Sequence, residues 1–184
     1  MRRQSIAMKR APILVAVFLL AAPGPAAAGD GNKGSTFAGS CQFAGTVRFH
    51  PPLTDAPRPA TGRARADGQC SGTFTDRRGN SHALEGDFVT YVAANHGSMS
   101  CGGGVAEGGG YLSYRRHRLR FALTELRATG GATLQIRGRR GGFAAGLATV
   151  SKEEDPLEIA HKCAGPGLDA ARVVIDLATP GISG

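Results

Sequence analysis

From Cys41 onward, apolar side chains recur at every second position, in short runs that end at glycine or proline. Cys41, Phe43, Gly45, Val47 and Phe49 alternate with Gln42, Ala44, Thr46, Arg48 and His50, and Pro51-Pro52 closes the run. A period of two puts one set of side chains on each face of a strand, so such a segment is half buried and half wet. No long stretch of the chain keeps a helical period. A helical bundle, a coiled coil and a doubly wound nucleotide-binding fold are therefore poor fits.

The alternation returns along the chain. Residues 61–68 set Arg63, Arg65 and Asp67 against Ala64 and Ala66, predicting a strand with a small-residue inner face. Residues 71–75 and 82–93 flank Asp76-Arg77-Arg78-Gly79-Asn80, whose Gly and Asn accept the left-handed backbone of a hairpin turn. In the second arm Leu84, Gly86, Phe88, Thr90 and Val92 are expected on one face, with Glu85, Asp87 and Tyr91 on the other. Residues 105–114 predict a further strand, in which Gly108-Gly109-Gly110 marks a bulge or a close approach of backbones. Leu119, Phe121 and Leu123, then Ala132, Leu134 and Ile136 beyond Gly130-Gly131, form a second hairpin. Phe143 to Thr149 and Ala171 to Leu177 supply the last two alternating runs. One helix is expected near 156–164: Asp155 caps it, Pro156 takes its first position, Glu158 its third, and Gly165-Pro166 stops it. The predicted fold is all-β, an antiparallel barrel or sandwich of about eight or nine short strands with one short helix.

Residues 1–28 read as a secretory signal peptide. Arg2, Arg3, Lys9 and Arg10 form a basic head, residues 11–22 an apolar stretch, and Ala26-Ala27-Ala28 a small-residue cleavage site. The apolar stretch falls short of the ~20 residues a spanning helix needs, and no later segment spans. Arg2-Arg3 also permits a twin-arginine route. The expected organisation is a leader at 1–28, a flexible glycine-rich lead-in at 29–40 and a single β domain at 41–180. The expected location is secreted, extracellular or associated with the cell envelope.

Thiols oxidise outside the cytoplasm, so Cys41, Cys70, Cys101 and Cys163 predict two disulfides from three possible pairings. No two are spaced C-x-x-C, which argues against a redox motif and against a zinc knuckle. If the first two strands pair as antiparallel neighbours, Cys41 falls beside Cys70 and leaves Cys101 for Cys163.

Charge is unevenly spread. Four of the 22 basic residues lie in the leader and none of the 14 acids does, so the processed chain carries a net +4. Arg115, Arg116, Arg118, Arg120, Arg127, Arg137, Arg139 and Arg140 face only Glu125 within residues 115–140. Neighbouring charges of one sign build a field able to draw in an anionic polymer. Arg118, Arg120, Arg137, Arg139 and Arg140 are the candidate ligand-binding residues; the alternative is the solvated face of two strands.

Other chemistry finds little support. Ser98-Met99-Ser100-Cys101-Gly102 superficially matches a hydrolase serine turn, but Gly102-Gly103-Gly104 follows where that turn needs a helix. His50, His82, His96, His117 and His161 lack the spacing that brings two imidazoles to one metal. Glu153-Glu154-Asp155 lacks the spaced ligands of a calcium loop, and residues 102–110 lack the lysine of a phosphate-binding loop. Tyr111 and Tyr114 beside Arg115 and Arg116 suit strand packing better than a platform for single-stranded nucleic acid. No catalytic residue, metal, cofactor or nucleotide is assigned.

The run Cys41-Gln42-Phe43-Ala44-Gly45-Thr46-Val47-Arg48-Phe49-His50-Pro51-Pro52-Leu53-Thr54, with Gly68-Gln69-Cys70-Ser71-Gly72-Thr73, resembles a recurring type of bacterial secreted cysteine-containing β-domain. Ser100-Cys101 and Cys163-Ala164-Gly165 fit the same pattern. That group has no established activity, so the resemblance implies fold and export and transfers no catalytic residue. Three functional classes follow: a non-catalytic domain binding an anionic extracellular or envelope polymer, a carrier of a small apolar ligand inside a barrel, and a hydrolase or isomerase with a pocket of convergent titratable groups.

Overall fold

The computed structural model describes residues 34–184, so the leader expected at 1–28 lies outside the described residues. Eight strands follow one another: β1 (Thr36–Leu53), β2 (Arg58–Thr75), β3 (Ser81–Met99), β4 (Gly103–Tyr114), β5 (His117–Ala128), β6 (Gly131–Gly138), β7 (Gly141–Val150) and β8 (Leu168–Ser183). Each pairs antiparallel with its neighbours in chain order, and β8 pairs with β1, closing a barrel. Closure leaves no free sheet edge, which resolves the choice between barrel and sandwich. Its physical origin is local: six of the seven connections span five residues or fewer, so each of those strands folds back on its predecessor.

Several boundaries differ from those expected. β1 begins at Thr36, and residues 36–40, assigned to the lead-in, pair with β2. β8 runs on to Ser183. The three glycines of β4 cause no register shift; they mark close backbone contact instead, since a Cβ on Gly108 would lie 2.0 Å from the Ala94 carbonyl oxygen.

The expected faces of β3 are corrected. Leu84 is buried, but so are Val89, Tyr91 and Ala93, whereas Phe88 is 75% exposed. The cause is one extra residue. Cys70 pairs with Asp87 and Ser71 with Glu85, so Gly86 bulges out at φ 85°, a conformation that glycine adopts without penalty. Beyond it the two faces exchange, turning Tyr91 inward and Phe88, Thr90 and Val92 outward.

Tyr91 thereby completes a plug. Phe43 on β1 packs on Tyr91 of β3, and Tyr91 stacks on Phe121 of β5, with both pairs of ring centroids 5.7 Å apart. In a closed ring of eight strands β1 and β5 lie opposite one another, so these three buried rings cross the bore. Phe121 fits because Gly110 has no side chain; a Cβ there would stand 2.9 Å from the ring tip. Eight strands enclose a space that side chains can just fill.

Both expected disulfides are present. Cys41–Cys70 joins directly opposite residues of β1 and β2 on the inner face, with Cα atoms 4.1 Å apart. Cys101–Cys163 ties the β3–β4 connection to α1 (Pro156–Ala164), the helix that bridges β7 and β8. Asp155 caps that helix as expected, its carboxylate accepting from the Leu157 N–H. Glu158 pairs with Lys162 one turn on, which raises the lysine pKa. Among the described residues, no helix is long and apolar enough to cross a membrane.

Candidate functional site

Strand register arranges the outward side chains in rows that run across the barrel wall. One row reads Arg48, Arg63, Ala94, Gly109, Ala122 and Arg137, each directly opposite the next from β1 through β6. The row beside it reads Thr46, Arg65, Val92, Tyr111 and Arg120. Small residues thus occupy the middle of each row, with arginines toward either end. The result is a groove of about 650 Å³ floored by Val92, Ala94 and Gly109 and bordered by Arg48, Arg63, Arg65 and Tyr111.

Strand spacing sets the dimensions. Arg65 and Arg120 stand three strands apart, roughly 14 Å along the wall, and Arg63 and Arg137 four strands apart, roughly 19 Å. Arg118 lies over the ring of Tyr111, 4.8 Å from its centroid, in a cation–π contact. Two carboxylates share this wall, one row out on either side. Asp67 accepts from the Thr90 hydroxyl, and Glu107 lies opposite His96.

Among the described residues, Arg48, Arg63, Arg65, Arg118, Arg120 and Arg137 make no ion pair. Arg48 and Arg63 are moreover directly opposite one another. Like charges in that arrangement repel, and sheets ordinarily avoid it. The wall keeps two arginines at opposed positions where one carboxylate substitution would have relieved them.

The five candidate residues fall at one side of this wall. Arg118 and Arg120 point outward from β5 and Arg137 from β6. Arg139 and Arg140 occupy the β6–β7 turn, where the Arg139 N–H donates to the Arg120 carbonyl and the Arg140 N–H to that of Ser183. Arg48, Arg63 and Arg65 are not among the residues expected from the sequence, because they lie far from the 115–140 cluster and only the pairing of β1 with β2 brings them together. The signal was available: opposing Cys41 to Cys70 also opposes Arg48 to Arg63.

Arg127 and Glu125 do not belong to the outer patch. Both point into the barrel near the α1 end, where the Glu125 carboxylate accepts from Arg127 Nε and from the Asn95 amide. Asn95 Oδ1 in turn accepts from the Gly62 N–H at 3.0 Å, and the Arg127 guanidinium lies 4.5 Å from the Phe49 ring centroid. Burial pushes the Tyr91 phenol far above its ordinary pKa, and the nearby Glu125 charge adds to the shift. This cluster is satisfied internally.

The remaining candidates take structural places. Ser100 closes the β3–β4 loop, accepting from the Gly103 N–H and donating to its carbonyl. Glu153 and Glu154 hold Arg172, whose backbone N–H depresses the Glu154 pKa. Asp55 approaches Cys101 and Cys163 within 4.8 Å, but those two sulfurs are bonded to each other and offer no thiolate. No family model matches the chain, and neither a curated protein nor a solved structure does.

Proposed function

We propose that the chain is an exported, non-catalytic β-barrel that binds an anionic extracellular or cell-envelope polymer through its arginine-lined outer wall. The observation that carries this reading is the set of six arginines without ionic partners on one wall, two of them forced into direct opposition. Such groups lose nothing in water and gain charge-assisted hydrogen bonds when an anion arrives, since a guanidinium offers paired donors to sulfate, phosphate or carboxylate. Two disulfides suit an oxidising compartment, which supports export.

The competing classes have less support. A carrier would need an open bore, and the Phe43–Tyr91–Phe121 plug occupies its middle. A hydrolase or isomerase would draw on Glu125, whose carboxylate is already committed to Arg127 and Asn95. The test is binding of the mature chain to immobilised heparin across a salt series. Affinity is expected to fall steeply with salt, and Arg118→Ala/Arg120→Ala/Arg137→Ala is expected to weaken it at least tenfold and flatten the salt dependence. Salt-independent binding, or none, overturns the reading.

A further inference from the structure

The groove has a direction, and the direction narrows the class of polymer. Ala94 and Gly109 of its floor lie on one register row, and the row continues through the small Ala122, so a low path leads across the strands from Arg48 and Arg63 to Arg137. A chain lying in it meets the opposed Arg48–Arg63 pair first and Arg120 and Arg137 three to four strands later. Building on the anionic-polymer reading above, we propose that this trough seats a single chain of an acidic polysaccharide. Arg48 and Arg63, neighbours at one end of the path, together grip one of its anionic groups, and Arg120 and Arg137 take a second.

Two features favour a polysaccharide over single-stranded nucleic acid. Nucleic-acid grooves stack bases on free aromatic faces. Here Tyr111 is the only ring bordering the trough among the described residues, and Arg118 lies over its face. The floor residues are too small to interleave with bases but allow the edge of a sugar ring to approach the backbone. The opposed pair suits the anionic group of either polymer, because two forks can grip its acceptor oxygens together where a single surface arginine cannot.

The trough is tested with the full mature chain and a fluorescent heparin-derived oligosaccharide, read by anisotropy at physiological salt. Arg48→Ala/Arg63→Ala is expected to lose about a hundredfold in affinity, roughly tenfold for each charge-assisted contact. Its log–log salt slope is expected to become shallower by about one to two. Arg77→Ala/Arg78→Ala, on the exposed β2–β3 turn, removes the same charge away from the trough and is expected to lose less than about threefold. Circular dichroism of both variants checks that the barrel is intact.

Equal losses in the two variants would show a response to net charge and overturn the trough. An unaffected Arg48→Ala/Arg63→Ala variant beside a weakened Arg118→Ala/Arg120→Ala/Arg137→Ala variant would overturn the trough and leave the wider wall reading standing. Wild-type protein that binds no acidic polysaccharide would end both. Tighter binding of an oligothymidylate than of an oligosaccharide of equal charge would overturn the polysaccharide assignment.

Discussion

Arg127 and Arg63 are the same residue type on the same barrel, yet their surroundings are opposite. Arg127 points inward and has a carboxylate, an aromatic face and a linked amide around it. Arg63 points outward and faces another arginine. The difference follows from solvent. A charge withdrawn from water must be repaid by specific partners, whereas one on the outer wall is hydrated whether or not a partner exists. Pairing inside is therefore a condition of folding and carries no functional message. Its absence outside, combined with direct like-charge opposition, is a choice that the fold does not require.

The largest expected effect lies on the inner side of this comparison. Glu125→Ala leaves the inward guanidinium of Arg127 and the amide of Asn95 without their acceptor, and unfolding free energy is expected to drop by about 3 kcal/mol. Glu125→Leu/Arg127→Met removes both charges together and is expected to recover part of that loss. Urea denaturation of the three proteins measures it. A loss under about 1 kcal/mol for Glu125→Ala would mean that water reaches the pair freely, and the contrast between the two faces would weaken.

Asp76 is an intermediate case, a buried carboxylate at a barrel mouth held by hydrogen bonds rather than by an ion pair. Its oxygens accept from the Asn80 side chain and from the N–H groups of Asn80 and Arg78, at 2.8 to 3.0 Å. The Asn80 amide and then these N–H groups hold its pKa below the ordinary 3.8, against the opposing effect of burial. The folded chain thus binds this proton more weakly than the unfolded one. The stabilisation is complete above the unfolded value and disappears as pH falls through the lower folded value. Asp76→Asn is expected to be less stable at pH 7, because its amide would face the Asn80 donor, and the gap to wild type should close below about pH 4. A gap that stays constant down to pH 2 would show that the hydrogen bonds do not favour the charged form.

Much of the barrel was legible because its strands are local objects. Alternation identified them, turn residues separated them, and the Asp155-Pro156 pair located α1. Antiparallel neighbours then predicted both disulfides. What alternation could not supply was phase across an irregularity. Gly86 reads as one more position of a regular strand, and only its pairing shows it to be an insertion that turns Tyr91 inward. The wall was half legible for a related reason. Arginines clustered in sequence at 115–140 were visible as a cluster, while those brought together by register from β1 and β2 were not. Glu125 and Arg127, two residues apart, share a strand face, and nothing in their types says that this face is the inner one.

The smallest expected effect has the sign that decides the comparison. If Arg48 and Arg63 oppose each other for the sake of a ligand, the unliganded barrel carries their repulsion as a standing cost. Arg48→Thr/Arg63→Thr relieves it with residues well suited to strands, so the melting temperature is expected to rise, corresponding to a gain of up to about 1 kcal/mol. The same increase should shrink at high salt, where the repulsion in wild type is already screened. Calorimetry at low and high ionic strength distinguishes this from a propensity effect, which salt leaves unchanged. A variant that melts lower at both salt concentrations would show that the two arginines contribute favourably to the wall through their aliphatic stems, and their opposition would no longer point to a missing anion.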